Sequence, residues 1–174
     1  METFEEMEAE PCVALVLPNA EITLVDADVY HEIAGLSWCK SGDYVARRLS
    51  GPRRGKQRRE WLHRRVNRTP AGVATDHRNL FKMDNRRSNL RDASHSLNNG
   101  NRPKRQGNNQ GASSSRFKGV YWHKRASKWH AAIKLGSKRV YLGIFTSEEA
   151  AARAYDAAAL QHFGEFARLN FPAQ

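Results

Sequence analysis

The chain has 174 residues, with 29 Lys and Arg against 18 Asp and Glu, a formal net charge of +11. Five of those acids (Glu2, Glu5, Glu6, Glu8, Glu10) fall in the first ten residues, which hold no Lys or Arg, so the rest is more basic still and calls for a polyanionic partner, nucleic acid being the commonest. No apolar run approaches the 18 residues of a membrane span, and Cys12 and Cys39 form no ligand-spaced cluster, which sets aside a membrane protein, a disulfide-stapled secreted domain and a cysteine zinc site.

The acidic start reads as a disordered tail over 1–10, without the basic and then apolar pattern of a secretory signal. An intracellular protein is expected, cytoplasmic and nucleoid-associated. From Cys12 to Val66 short apolar stretches alternate with turn residues, and "VALVLPN", "EITLVD", "DYVARRL" and "EWLHRRV" carry strand signals. Between the last two, "SGPRRGKQRR" reads as a basic hairpin tip suited to phosphate contact.

In "TDHRNLFKMDNRRSNLRDASHSLNN" the expected pieces are a strand ending at Asp76 and His77, a polar loop, a second strand "NLRDA", and a helix capped by Ser94 that carries Asn98. His77 is followed by Asn89 twelve residues on and Asn98 nine after that, a spacing that resembles the H-N-N form of the HNH homing endonucleases, with their ββα-metal site. "WLHRRV" and "DNRRSNLR" resemble the same family. The resemblance implies His77 as general base, Asn89 as the residue holding the loop, and Asp76 and Asn98 as oxygen ligands of Mg²⁺ or another divalent cation such as Mn²⁺. Phosphodiester hydrolysis needs such a set, because a deprotonated water must attack in line while a cation absorbs the charge that builds on the leaving oxygen. His95 has a rival claim to the third position, and Arg86, Arg87 and Arg91 are candidate phosphate clamps.

"RPKRQGNNQGASSS", residues 102–115, has the Gly, Asn and Ser content of a flexible linker. Two modules follow from this: 11–101, with the nuclease core in about 59–101, and 116–173. In the second, one parity collects Val120, Trp122, Trp129, Ala131, Ile133, Val140, Leu142 and Ile144, the expected buried face of three strands. The other parity collects Tyr121, His123, Arg125, His130, Lys134, Arg139 and Tyr141, a solvent face of aromatics and cations without an acid. Thr146 with Glu149 is the expected capping box of a helix whose packed stripe is Ala151, Ala154, Tyr155, Ala158 and His162.

The segment from Ser115 to Pro172, with its GV strand, its "RVYLG" strand, its "EEAAARAYD" helix and its "LNFP" ending, resembles the APETALA-two/ethylene-response-factor (ERF) DNA-binding domain. That resemblance implies a three-stranded sheet entering the major groove, with Lys118, Tyr121, His123, Arg125, Lys134, Arg139 and Tyr141 at contact positions.

The expected fold class is α+β: a β-rich module with the HNH site, a linker, and a three-stranded antiparallel sheet packed on one helix. The expected function is metal-dependent cleavage of double-stranded DNA by a monomer, with no membrane and no organic cofactor, the sheet aiding site choice. The alternatives are a sequence-specific DNA-binding transcriptional regulator with an inactive HNH module, and a structural RNA-binding protein.

Overall fold

The computed structural model describes residues 11–50, 58–104 and 114–172. The basic hairpin tip, the acidic tail and most of the expected linker therefore lie outside the described residues. Contacts divide the chain into two units between Asp92 and Ala93.

In the first unit, β1 (Cys12–Val16) and β2 (Ile22–Asp26) form an antiparallel hairpin in which Val13 faces Val25. Helix α1 (Ala27–Ile33) follows directly and buries Val29 and Ile33, one helical turn apart. A meander of β3 (Cys39–Ser41), β4 (Tyr44–Arg48) and β5 (Arg59–Trp61) runs into α2 (Leu62–Val66). Only the start of "EWLHRRV" is thus extended. Leu62 and Val66 are both buried, and their separation of four is a helical period that the strand reading overlooked. Strands β6 (Ala74–His77) and β7 (Leu90–Ala93) make a separate two-stranded sheet. Leu15, Val25, Ile33, Trp38, Val45, Leu62 and Leu90 share one core. Each such side chain, fully buried, contributes about 1.5–3 kcal/mol.

The second unit begins with α3 (His95–Asn101), capped by Ser94, whose hydroxyl accepts from the Leu97 N–H at 3.2 Å. Strands β8 (Val120–His123), β9 (Lys128–Leu135) and β10 (Lys138–Phe145) form an antiparallel sheet with β9 in the centre, and α4 (Glu148–Phe163) packs across it. The cap of α4 is Ser147, which accepts from the Ala150 N–H at 3.0 Å, one residue later than the expected box. Its packed stripe is accordingly rotated to Ala151, Ala152, Tyr155, Asp156, Ala159 and Phe163, which leaves His162 exposed.

Close approach of helix and sheet depends on small residues. At Gly119 the backbone has φ +77°, and a Cβ there would lie 1.9 Å from the Tyr155 ring. The buried Asp156 carboxylate accepts from the Asn170 and Phe171 N–H groups at 2.8 and 2.9 Å, and Asn170 in turn accepts from the Lys118 N–H at 2.6 Å. Hydrogen bonds, those to the Asp156 carboxylate charge-assisted, therefore tie the "LNFP" ending to α4 and to the segment leading into β8.

The expected module boundary, with α3 in 11–101, is corrected by this packing. Leu97 joins Ala93, Ile133, Tyr155, Ala159 and Phe163 in one cluster, and the Phe163 ring lies so close to Gly100 that a Cβ would meet it at 2.8 Å. Burial of this apolar face, rather than proximity in sequence to β7, decides where the short helix belongs.

Candidate nucleic-acid interface

The residues expected to form a nuclease centre are assigned to different units. Asp76, His77 and Asn89 lie in the first unit, whereas Asn98 and its rival His95 lie on α3 in the second. Asp76, almost fully buried, accepts from Arg91 Nε and Nη2 at 3.0 and 2.9 Å. His77 is fully buried in a ring cluster with Tyr44 and His63, centroids 6.0 and 5.4 Å away, and its Nε2 lies 3.3 Å from Asn85 Oδ1. Burial, then the nearby Lys82 charge, pushes the His77 pKa down to about 4. Burial, then the charges of His77, Arg64 and Lys82, pushes His63 down to about 3. Both imidazoles are neutral at pH 7.

Asn89 braces the loop, accepting from the Asn79 N–H at 2.9 Å and donating to the Asp84 carbonyl at 2.8 Å. The expected phosphate clamps carry acid partners. Arg86 holds Asp84 through two bonds of 2.8 Å, Arg87 pairs with Asp28, and Arg91 pairs with Asp76. A guanidinium already matched to a carboxylate has little net charge to offer a phosphate. Among the described residues no group of three His, Cys, Asp or Glu side chains is placed to hold a metal. One Asp76 oxygen is taken by Arg91.

The second unit presents a different surface. Strand pairing sets Tyr121 opposite His130, Tyr141 opposite Ala132, Arg139 opposite Lys134 and His123 opposite Lys128, so these side chains share the sheet face turned away from α4. The rings form a continuous layer. His123 stacks on His130 at 4.4 Å with the planes 6° apart, and His130 lies 5.4 Å from Tyr121 and 5.3 Å from Tyr141. The Arg139 guanidinium sits 5.4 Å over the Tyr121 ring. Desolvation, then the His123 charge, lowers the His130 pKa below its ordinary value. No acidic side chain belongs to this face, and Tyr141 is half exposed.

Several positions differ from expectation, among them Trp122 and Val140, each 37% exposed although expected on the buried face. Between Tyr141 and Gly143 the register slips by one residue, so Ile144 pairs with His130 and joins the outer face, 49% exposed, instead of the core. The signal was present in the sequence: Gly143, with φ +135°, is a glycine inside a strand, the mark of a bulge that reverses side-chain parity. Lys118, expected as a contact, turns its amine to α3 and donates to the Gly100 carbonyl at 2.5 Å. Arg125 is exposed in the turn between β8 and β9.

Comparison with known proteins places the family match in this second unit. Residues 115–165 match the AP2 domain family. The ethylene-responsive transcription factor WRI1 of Arabidopsis thaliana is 48% identical over 59 residues, 34% of this chain and 13% of that protein. An AP2/ERF and B3 domain-containing protein of Oryza sativa subsp. japonica is 52% identical over 59 residues, 34% of this chain and 16% of the relative. An AP2-like ethylene-responsive transcription factor of A. thaliana is 38% identical over 91 residues, 50% of this chain and 24% of the relative. The chain spans only 13% and 16% of the length of the first two relatives. These similarities overturn the expectation of an HNH endonuclease: the matched family is AP2, the similar proteins are named as transcription factors, and the description of this chain as a magnesium-dependent hydrolase is withdrawn. What the comparisons show is a match to the AP2 domain family at residues 115–165, the stretch that carries the aromatic and cationic sheet face.

Proposed function

We propose that the chain is a sequence-specific DNA-binding transcriptional regulator that reads duplex DNA with the outer face of the β8–β9–β10 sheet. The observation that carries this reading is that face itself: Tyr121, His123, His130, Lys134, Arg139 and Tyr141 in one layer, with no carboxylate, in a segment that matches the AP2 domain. A two- or three-stranded sheet fits the width of a major groove, where cations and ring polar groups meet base edges and backbone phosphates. Tyr121, His123 and Tyr141 supply directed polar groups. Arg125, Lys128, Lys134 and Arg139 supply charge. Such a role places the protein in a compartment that holds DNA, and no helix among the described residues is long and apolar enough to cross a membrane.

Titration of labelled duplex DNA and duplex RNA at matched salt tests the proposal. Tighter binding of DNA, weakened by Arg139→Ala and Tyr141→Ala, is expected. Equal affinity for both, untouched by these two changes, would assign the basic charge to general nucleic-acid association and remove the sheet from the account.

A further inference from the structure

The second unit contains a cavity of about 480 Å³ beside the end of the sheet, outside the reading face. Its wall carries Arg102, Lys118 and Lys134, with Ser96 and Asn99 of α3 adding a hydroxyl and an amide, and Tyr155 lies in the lining. Among the described residues no carboxylate lines it. Three cations and two neutral donors around one opening make a site that is complementary to a phosphate group, and the convergence of like charges is relieved when an anion enters.

How the sequence builds this cavity is visible in α3. Its last turn is held by Lys118, whose amine donates to the Gly100 carbonyl, and by the Arg168 N–H, which donates to the same oxygen at 3.2 Å. The Gly100 contact with Phe163 then sets the helix close to α4. Arg102, the residue that follows the helix, is exposed and is carried to the rim of the cavity by that docking. Lys134 belongs to both surfaces: it lies opposite Arg139 in the strand register of the sheet, and it is one of the residues lining the cavity. Burial, then the Arg168 charge, pushes the Lys118 amine down to about 8, with Asp156 acting in the opposite direction.

We propose that α3 and Arg102 are a phosphate-binding extension of the DNA-binding unit, with Arg102, Lys134, Ser96 and Asn99 seating one phosphate group while Lys118 acts as the positioning residue that holds α3 in place. The proposal rests on the reading of the sheet as a duplex-binding face. The phosphate is a backbone diester of the bound duplex or a free phosphate ion, which present the same anionic oxygens.

Binding of labelled duplexes by the full chain over a salt series tests this, comparing wild type with Arg102→Ala, Arg139→Ala and Arg153→Ala. Arg153, on the exposed side of α4, controls for the loss of one charge. Arg102→Ala is expected to weaken a preferred and a scrambled duplex by the same factor, about three- to tenfold, and to reduce the slope of log K against log salt by about 1. Arg153→Ala should leave both unchanged. If Arg102→Ala behaves like Arg153→Ala while Arg139→Ala loses binding, the sheet reading stands and the phosphate site is overturned. A second arm follows the amide resonances of Ser96, Asn99, Arg102 and Gly136 as inorganic phosphate or duplex is added. Saturable shifts with inorganic phosphate, lost in Arg102→Ala, identify a site that accepts the free ion, even if no duplex binds. Shifts with duplex alone identify a backbone phosphate. No shift with either ligand overturns the proposal.

Discussion

Asp76, expected as a metal ligand, has its carboxylate engaged in an ion pair with Arg91. A carboxylate beside a histidine reads as a ligand and a base, but its oxygen is held by two guanidinium donors of Arg91 in a buried setting. Removing one partner of a buried pair leaves the other charge uncompensated, so Asp76→Ala is expected to destabilise the first unit by about 3–5 kcal/mol, read as a lowered denaturation midpoint. The histidines nearby predict a pH dependence with a defined sign. His63 and His77 bind protons less readily when folded, at about 3 and 4, than at their ordinary 6.5, so the unfolded chain takes up more protons between those values. Stability of the first unit should therefore be level above pH 7 and fall as the pH drops from about 6.5 toward 4. Carboxylates such as Asp84 and Glu60, whose pKa values are lowered, lose their contribution only below their ordinary range near 4, so the higher window belongs to the histidines. Urea unfolding at stepped pH, followed by the fluorescence of Trp38 and Trp61, measures it, with His63→Gln expected to flatten the slope. Gly119 makes the corresponding case in the second unit. Gly119→Ala sets a Cβ into the Tyr155 ring at a positive φ and should cost about 2–4 kcal/mol, visible as a lower midpoint for that unit alone.

At the scale of elements, the period-two pattern of β8, β9 and the first half of β10 was legible because half-buried strands must alternate, and the Ser94 cap of α3 because a helix start needs a side-chain acceptor. The places where the reading failed have local causes. The bulge at Gly143 reversed the parity of Ile144, and the pair Leu62 and Val66 turned the end of a strand-like run into a helix. The standing of α3 was not legible at all, because seven residues with Leu97 as their one large apolar side chain give no sign of which surface they will meet. Only the tertiary partners Phe163 and Lys118 settle it. Lys118→Met removes the ammonium that caps the last turn. The expected result is faster hydrogen exchange of the amides in residues 97–101, with α4 protection unchanged, at a cost of about 1–2 kcal/mol to the unit. Uniform exchange in wild type and variant would show that the lysine does not hold the helix.

Across the whole molecule, the charge that first pointed to a polyanion is distributed unequally in its effect. In the first unit Arg86, Arg87 and, on β7, Arg91 are each matched by an aspartate, whereas the outer face of the second unit's sheet has Lys128, Lys134 and Arg139 and, among the described residues, no acid. Spacing of His77, Asn89 and Asn98 along the chain suggested a catalytic set, yet spacing carries no information about acid partners or about which unit will recruit a short helix. The sheet motifs were better guides, since the residues that define them also build the fold: Gly119 makes room for Tyr155, and Asp156 with Asn170 latches the ending. The measurement that tests the account most directly is selection of bound sequences by the full chain from a pool of randomised DNA duplexes, repeated with Arg139→Ala and Tyr141→Ala. Wild type is expected to enrich a short common sequence, with preference at one or two of its positions relaxed in each variant, about 1–3 kcal/mol of discrimination lost per direct base contact. Recovery of an unenriched pool by wild type, or the same enriched sequence from all three proteins, would contradict it.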